Sequence, residues 1–116
     1  MRVRIVCEAA GVEVTAELND SSTTRALAEV MPLEAPAQRW GDELYFTVPV
    51  HHDHDKPVEQ VESGDVGFWP PGDAFCVFFG QQPVGPVNPL GKVRGDATSL
   101  RSVEDGQTVR LEQLPD

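Results

Sequence analysis

A mainly β domain, with seven or eight short strands closed into a barrel beside one clear helix, is what this sequence predicts. Three observations lead there. Apolar residues recur at every second position near both ends of the chain, the period of a strand with one buried face. Turn-forming residues punctuate the apolar runs at short intervals, and only one segment shows helical spacing. A single domain of 116 residues and 12.7 kDa with that many short strands is better closed than open, because closure removes unpaired edges. Surface scaling for this size gives about two-thirds of the extended chain's surface buried on folding, enough for a core without disulfides or metal.

Val3, Ile5 and Cys7 share one face of the first strand, against Arg2, Arg4 and Glu8. After Ala9-Ala10-Gly11 the alternation resumes with Val12, Val14, Ala16 and Leu18, which makes a hairpin. Asn19 to Ser22 supply helix-capping side chains, Ala26, Leu27, Val30 and Met31 follow at helical spacing, and Pro32 stops the helix. A loop carrying Pro36 and Trp40 leads to a third strand over 43–48, rich in aromatic and β-branched residues. The polar stretch 49–56 reads as a loop and 58–62 as a short edge strand. Residues 66–69 and 75–79 are apolar strands joined by the stiff turn Pro70-Pro71-Gly72-Asp73. Three prolines and a glycine make 81–89 an irregular loop. A short strand over 90–94, a helical turn over 97–103, the turn Asp105-Gly106 and a last strand over 108–114 complete the chain. No internal repeat interrupts this reading, and 1–116 is one domain.

Composition excludes several functions. Nineteen acidic residues against nine basic ones leave a formal charge of −10, a field that repels nucleic acid and anionic membrane surfaces. The longest apolar run, 74–79, is far too short to span a bilayer. Arg2, Arg4, Glu8 and Glu13 interrupt any signal-peptide-like stretch, so a cytoplasmic location is expected. Lysines number two beside seven arginines; adaptation to high salt and genomic composition bias both account for that. Cys7 and Cys76 lie in strand-like apolar runs and are expected to be buried thiols rather than a bridge. Neither a nucleophile elbow nor a phosphate-cradling glycine loop occurs, and no cofactor is expected. Asp42 and Glu43, as neighbours in a strand, face opposite ways and are expected to be solvated or capping groups rather than a paired acid and base.

Several segments, in order, resemble a known family: Trp40-Gly41-Asp42-Glu43-Leu44-Tyr45-Phe46, Gly64-Asp65-Val66-Gly67-Phe68-Trp69-Pro70-Pro71-Gly72, Phe78-Phe79-Gly80, and Asn88-Pro89-Leu90-Gly91-Lys92-Val93. The chain resembles the short prokaryotic cyclophilin-like family over essentially its whole length. The resemblance implies a closed eight-stranded barrel like that of cyclophilins, the peptidyl-prolyl isomerases, with one or two short helices. The Phe-His-Arg of the cyclophilin pocket strand is matched here by Tyr45-Phe46-Thr47, so Thr47 falls where an arginine is expected. A threonine offers one neutral hydrogen bond, about half as strong as a charge-assisted one. Isomerisation at cyclophilin rates is therefore not expected, and no catalytic residue is assigned.

Seven of the eight aromatic residues fall between Tyr45 and Phe79. Strand alternation sends one member of each pair Tyr45/Phe46, Phe68/Trp69 and Phe78/Phe79 away from the barrel interior, where outward rings on neighbouring strands make an apolar groove. Tyr45, Phe46, Thr47, Trp69 and Phe79 are the candidate ligand-binding residues, with Phe79 rather than Phe78 placed in the groove by the family resemblance. The function expected is binding of a peptide segment or a small apolar molecule, without nucleic acid or membrane partners; the sequence sets no oligomeric state. Two alternatives stand beside it: a weak prolyl isomerase using the same groove, and metal binding through His51-His52-Asp53-His54-Asp55. That cluster has suitable ligand types, but no second group of His or Cys exists in the chain to complete it, and no metal site is assigned.

Overall fold

The computed structural model describes residues 1–115. The opening hairpin forms as expected: β1 (Arg2–Cys7) and β2 (Val12–Leu18) pair antiparallel, with Val3 opposite Ala16 and Ile5 opposite Val14. Helix α1 (Ser22–Val30) starts where Ser21 Oγ accepts the Thr24 N–H at 3.3 Å, and it buries Leu27 against the barrel. The remaining strands are β3 (Leu33–Pro36), β4 (Gln38–Arg39), β5 (Glu43–Thr47), β6 (Asp65–Trp69), β7 (Ala74–Phe78), β8 (Asn88–Arg94) and β9 (Thr108–Gln113). They form one sheet in the order β3-β9-β1-β2-β8-β6-β7-β5-β4.

The two ends of that order meet in the chain. Leu33 to Pro36 pair with β9, Gln38 and Arg39 pair with β5, and only Ala37 separates the two. The Ala37 N–H donates to Gln107 O and its carbonyl accepts from the Gly106 N–H, each at 2.8 Å. Residues 33–39 are thus one bent strand whose halves join opposite ends of the sheet and nearly close the barrel. Counted together the halves make eight strands; counted apart, nine. This stretch corrects the loop expected around Pro36. A proline lacks the N–H a ladder needs, but it is tolerated at a bend where pairing changes partner.

Two further boundaries shift. The edge strand expected over 58–62 is a single bridge between Val58 and Val87, because the Gln82 side chain takes the place of a partner strand. It accepts the Val61 N–H at 2.8 Å and donates to Val61 O at 2.9 Å. Strand β8 begins at Asn88 rather than 90, accommodating Pro89 at a register shift opposite Val66 and Gly67. Residues 97–102 form a 3₁₀ turn, close to the helical turn expected there.

Inside the barrel, Val3, Ile5, Leu44, Phe46, Phe68, Phe75, Val77, Phe79, Leu90 and Leu111 are buried in one cluster. Phe46 and Phe75 stack with ring centroids 5.1 Å apart. Cys7 belongs to this cluster, Cys76 to another on the outer face, and both are free thiols. On the exterior of β1, β2, β8 and β9 most arginines pair with glutamates: Arg4 with Glu13 and Glu112, Arg110 with Glu8 and Glu112, and Arg94 with Glu17. Pairs this exposed are screened by solvent and salt and contribute little to stability.

The histidine-rich loop is tied to the barrel by one buried side chain. Asn88, only 2 % exposed, accepts the Asp55 N–H at 2.8 Å and donates to Asp53 O at 2.9 Å. Replacing it leaves the Asp55 N–H without its partner and takes one of two hydrogen bonds from Asp53 O, which also lies 2.8 Å from His52 Nδ1. Asn88→Ala is expected to lower stability by about 1–3 kcal/mol in urea denaturation and to speed hydrogen exchange at the Asp55 amide; unchanged values for both would contradict the role given to Asn88.

Candidate functional site

The pleat of three adjacent strands builds the site. In β5, Leu44 and Phe46 point inward while Glu43, Tyr45 and Thr47 point outward; in β6, Phe68 is inward and Trp69 outward. In β7, Phe75 and Val77 are inward, and Ala74, Cys76 and Phe78 face the other way. Register then aligns the outward set: Glu43 lies opposite Phe78, Tyr45 opposite Cys76, and Ala74 opposite Trp69. Ala74, Cys76, Phe78 and Val87 form a second buried cluster, with Tyr45, Val61 and Trp69 packed against it.

Above this cluster opens a cavity of about 280 Å³, lined by Trp40, Glu43, Tyr45, Trp69, Pro83, Val84 and Val87. Each wall has a local cause. Trp40 and Glu43 exchange backbone hydrogen bonds of 3.1 and 3.2 Å across a tight turn, where Gly41 takes φ 60°. Trp69 lies so close to Gly72 that a Cβ there would stand 2.8 Å from its ring. The proline-rich wall is held by Gln81, which accepts the Asp42 N–H at 3.1 Å, by the Gln82 bonds to Val61, and by Val87 bridging Val58. Trp40 and Val84, 48 % and 72 % exposed, form an apolar rim.

Glu43 is the one charged side chain lining the cavity, and only 7 % of it is exposed. None of the ion pairs among the described residues includes it. Burial disfavours its ionised form and pushes its pKa up to about 7, with the Cys76 thiol opposing this only in part. Burial likewise pushes the Cys76 thiol well above its ordinary range, and the nearby Glu43 adds to the effect. Neighbouring Asp42 faces the opposite way and pairs with Arg101 at 3.2 Å, which holds its carboxyl below the usual value. The expectation that both acids are solvated or capping groups is therefore corrected for Glu43.

Of the five candidate residues, the structure brings Tyr45 and Trp69 together at the cavity. Phe46 and Phe79 are sealed in the barrel interior, 0 % and 1 % exposed. Phe78, not Phe79, takes the outer face, a reversal of the order taken from the resemblance. Thr47 is exposed at the end of β5, away from the lining. No arginine lines the cavity: Arg39 stands 5.2 Å over the Phe79 ring and donates to the carbonyls of Gly41, Arg101 and Val103, while Arg94 pairs with Glu17. In the histidine loop, His51 Nδ1 lies 2.9 Å from Asp73 and His52 Nε2 lies 3.1 Å from Ser22 Oγ. Among the described residues no three His, Cys, Asp or Glu side chains converge on a point that would hold a metal.

Glu43, Trp40 and Val84 were not foreseen as site residues. The signal for Glu43 was present, since the alternation that turns Tyr45 outward turns Glu43 outward beside it. Trp40 and Val84 arrive through loops, which carry no such period.

A family model described as Cyclophilin-like matches residues 1–112. The chain belongs to the cyclophilin-like family. Among solved structures, this cyclophilin-like chain is similar to a hypothetical protein, AF2241, from Archaeoglobus fulgidus. That match has 36% identity and a TM-score of 0.85, and it covers 98% of this chain and 95% of that one. It also shares its fold with McbB, solved in complex with tryptophan, at 17% identity and a TM-score of 0.80 over 98% of this chain and 45% of McbB. No curated protein matches the sequence. No helix among the described residues is long and apolar enough to cross a membrane.

The raised Glu43 pKa has a sign that stability measurements can read. The folded carboxyl keeps its proton up to about pH 7, whereas the unfolded one releases it near the ordinary glutamate value of 4.5. Between those values the native state binds more protons, so stability is lost as pH rises through the window. Glu43→Gln removes this dependence. Relative to the parent, the variant is expected to gain about 2–3 kcal/mol between pH 4.5 and pH 8 in denaturant titrations; a constant difference would show an ordinary, solvated carboxylate.

Proposed function

We propose that this cyclophilin-like domain is a binding module, and that its outer-face cavity takes one apolar or aromatic group from a small molecule or a peptide segment. The observation that supports the reading is the cavity itself: a concave, mostly apolar recess with one convergent polar group at its wall. Its volume of about 280 Å³ lies at the small end of ligand sites, which run from about 300 to 1,000 Å³. It suits one ring-sized group rather than an extended ligand. Tyr45 and Trp69 supply the floor, and Trp40, Pro83 and Val84 the mouth. The acidic surface argues against nucleic-acid and anionic-membrane partners.

Both tryptophans of the chain lie on this cavity, so intrinsic fluorescence reports on it alone. Titration with benzyl alcohol or acetyl-phenylalanine amide is expected to give a saturable change. Val84→Asn, a substitution at the exposed rim, is expected to weaken binding severalfold while leaving the melting temperature unchanged. Absence of a saturable change with either probe would overturn the reading, as would identical affinity in the Val84→Asn protein.

A further inference from the structure

The lining of the cavity has a charge character that a purely apolar ligand would leave unused. Two tryptophans and one tyrosine surround it, and its single ionisable wall group besides the tyrosine is the carboxyl of Glu43. Glu43 as a residue is only 7 % exposed. It pairs with no lysine, arginine or histidine among the described residues. Arg39, on the neighbouring strand β4, is engaged with backbone carbonyls and the Phe79 ring. The Cys76 thiol is the carboxyl's neutral hydrogen-bond partner, but no cationic side chain among the described residues balances its ionised form, and that counter-ion is what a cationic ligand supplies.

We infer that the cavity takes an organic ammonium group, a primary or quaternary amine on an apolar body, with Glu43 as its counter-ion and the rings of Trp40, Tyr45 and Trp69 around it. This rests on the binding reading above and names the ligand chemistry. Aromatic faces carry the negative part of the ring quadrupole and attract cations, more strongly when water is excluded. The apolar body of the ligand covers Val84, Val87 and Pro83. An anion is disfavoured at each level, by the carboxyl, by the rings and by the net charge of −10. A neutral ligand fills the volume but brings the carboxyl no counter-ion. The ammonium arrives either on a free small amine or on the side chain of a lysine, methylated or not, in a peptide.

Nuclear magnetic resonance titration of the full chain tests this, read at the indole N–H signals of Trp40 and Trp69. The probes are benzylamine, its neutral counterpart benzyl alcohol, and acetyl-lysine amide with its trimethylated form. Benzylamine is expected to bind about tenfold tighter than benzyl alcohol, about 1.4 kcal/mol, and Glu43→Gln to erase that preference, bringing the two affinities together. Trp40→Leu, a change at a half-exposed position that keeps the fold whether or not Glu43→Gln does, is expected to weaken benzylamine by about two- to fivefold more than it weakens benzyl alcohol. Tighter binding of a lysine probe than of benzylamine assigns a peptide source, and the reverse order a free amine; either supports the assignment. Equal affinity for benzylamine and benzyl alcohol would overturn the ammonium assignment and leave the binding reading intact. No shift with any probe would overturn both.

Discussion

Burial of β7 on both of its faces is the constraint on which the rest of this structure depends. Each residue from Ala74 to Phe78 is buried, so the pleat must supply two cores from one strand. Phe75 and Val77 complete the barrel interior, while Ala74, Cys76 and Phe78 require a second cover outside it. The outer cover comes from residues 58–61 and 83–87 rather than from another sheet. Because those segments are loops, their polar backbone has to be satisfied individually, and Gln81, Gln82 and the Val58–Val87 bridge do this. The cover is incomplete above Glu43 and Tyr45, and the gap is the cavity.

The same arrangement explains the unusual state of Glu43. A carboxylate at the edge of a sheet is normally wet, but here the turn that carries Trp40 and the loop that carries Val84 close over it. Asp42, one residue away, escapes that fate because its side chain leaves on the other side of the chain and pairs with Arg101. Two adjacent acids thus have opposite shifts, one raised by desolvation and one lowered by a guanidinium. The contrast is set by strand geometry rather than by residue type.

Much of the fold was legible because it follows period two. The hairpin of β1 and β2, the stiff turn between β6 and β7, and the final strand all follow from alternation and turn residues. Closure was anticipated, but the segment that achieves it was not: residues 33–39 change partners at Ala37, and a strand only two residues long on one side has no readable period. Of the site, Tyr45 and Trp69 were legible as outward rings. The Phe78/Phe79 pair takes the phase opposite to the one the resemblance implies, because alternation from Phe75 and Val77 carries Phe79 into the barrel and Phe78 out of it. Pro83, Val84 and Trp40 were illegible, because loops are positioned by side-chain amides and long-range hydrogen bonds rather than by local pattern.

The central claim is that the outer face of β5 and β7 carries an apolar recess with the Glu43 carboxyl largely buried in its wall. Carbon-13 chemical shifts of the glutamate side-chain carboxyls, followed from pH 3 to pH 9 with Glu43 assigned, measure this most directly. The account requires the Glu43 signal to titrate with a midpoint of about 7. A midpoint at or below 4.5, the ordinary glutamate value, would mean that water reaches the carboxyl and that the cavity does not exist as described.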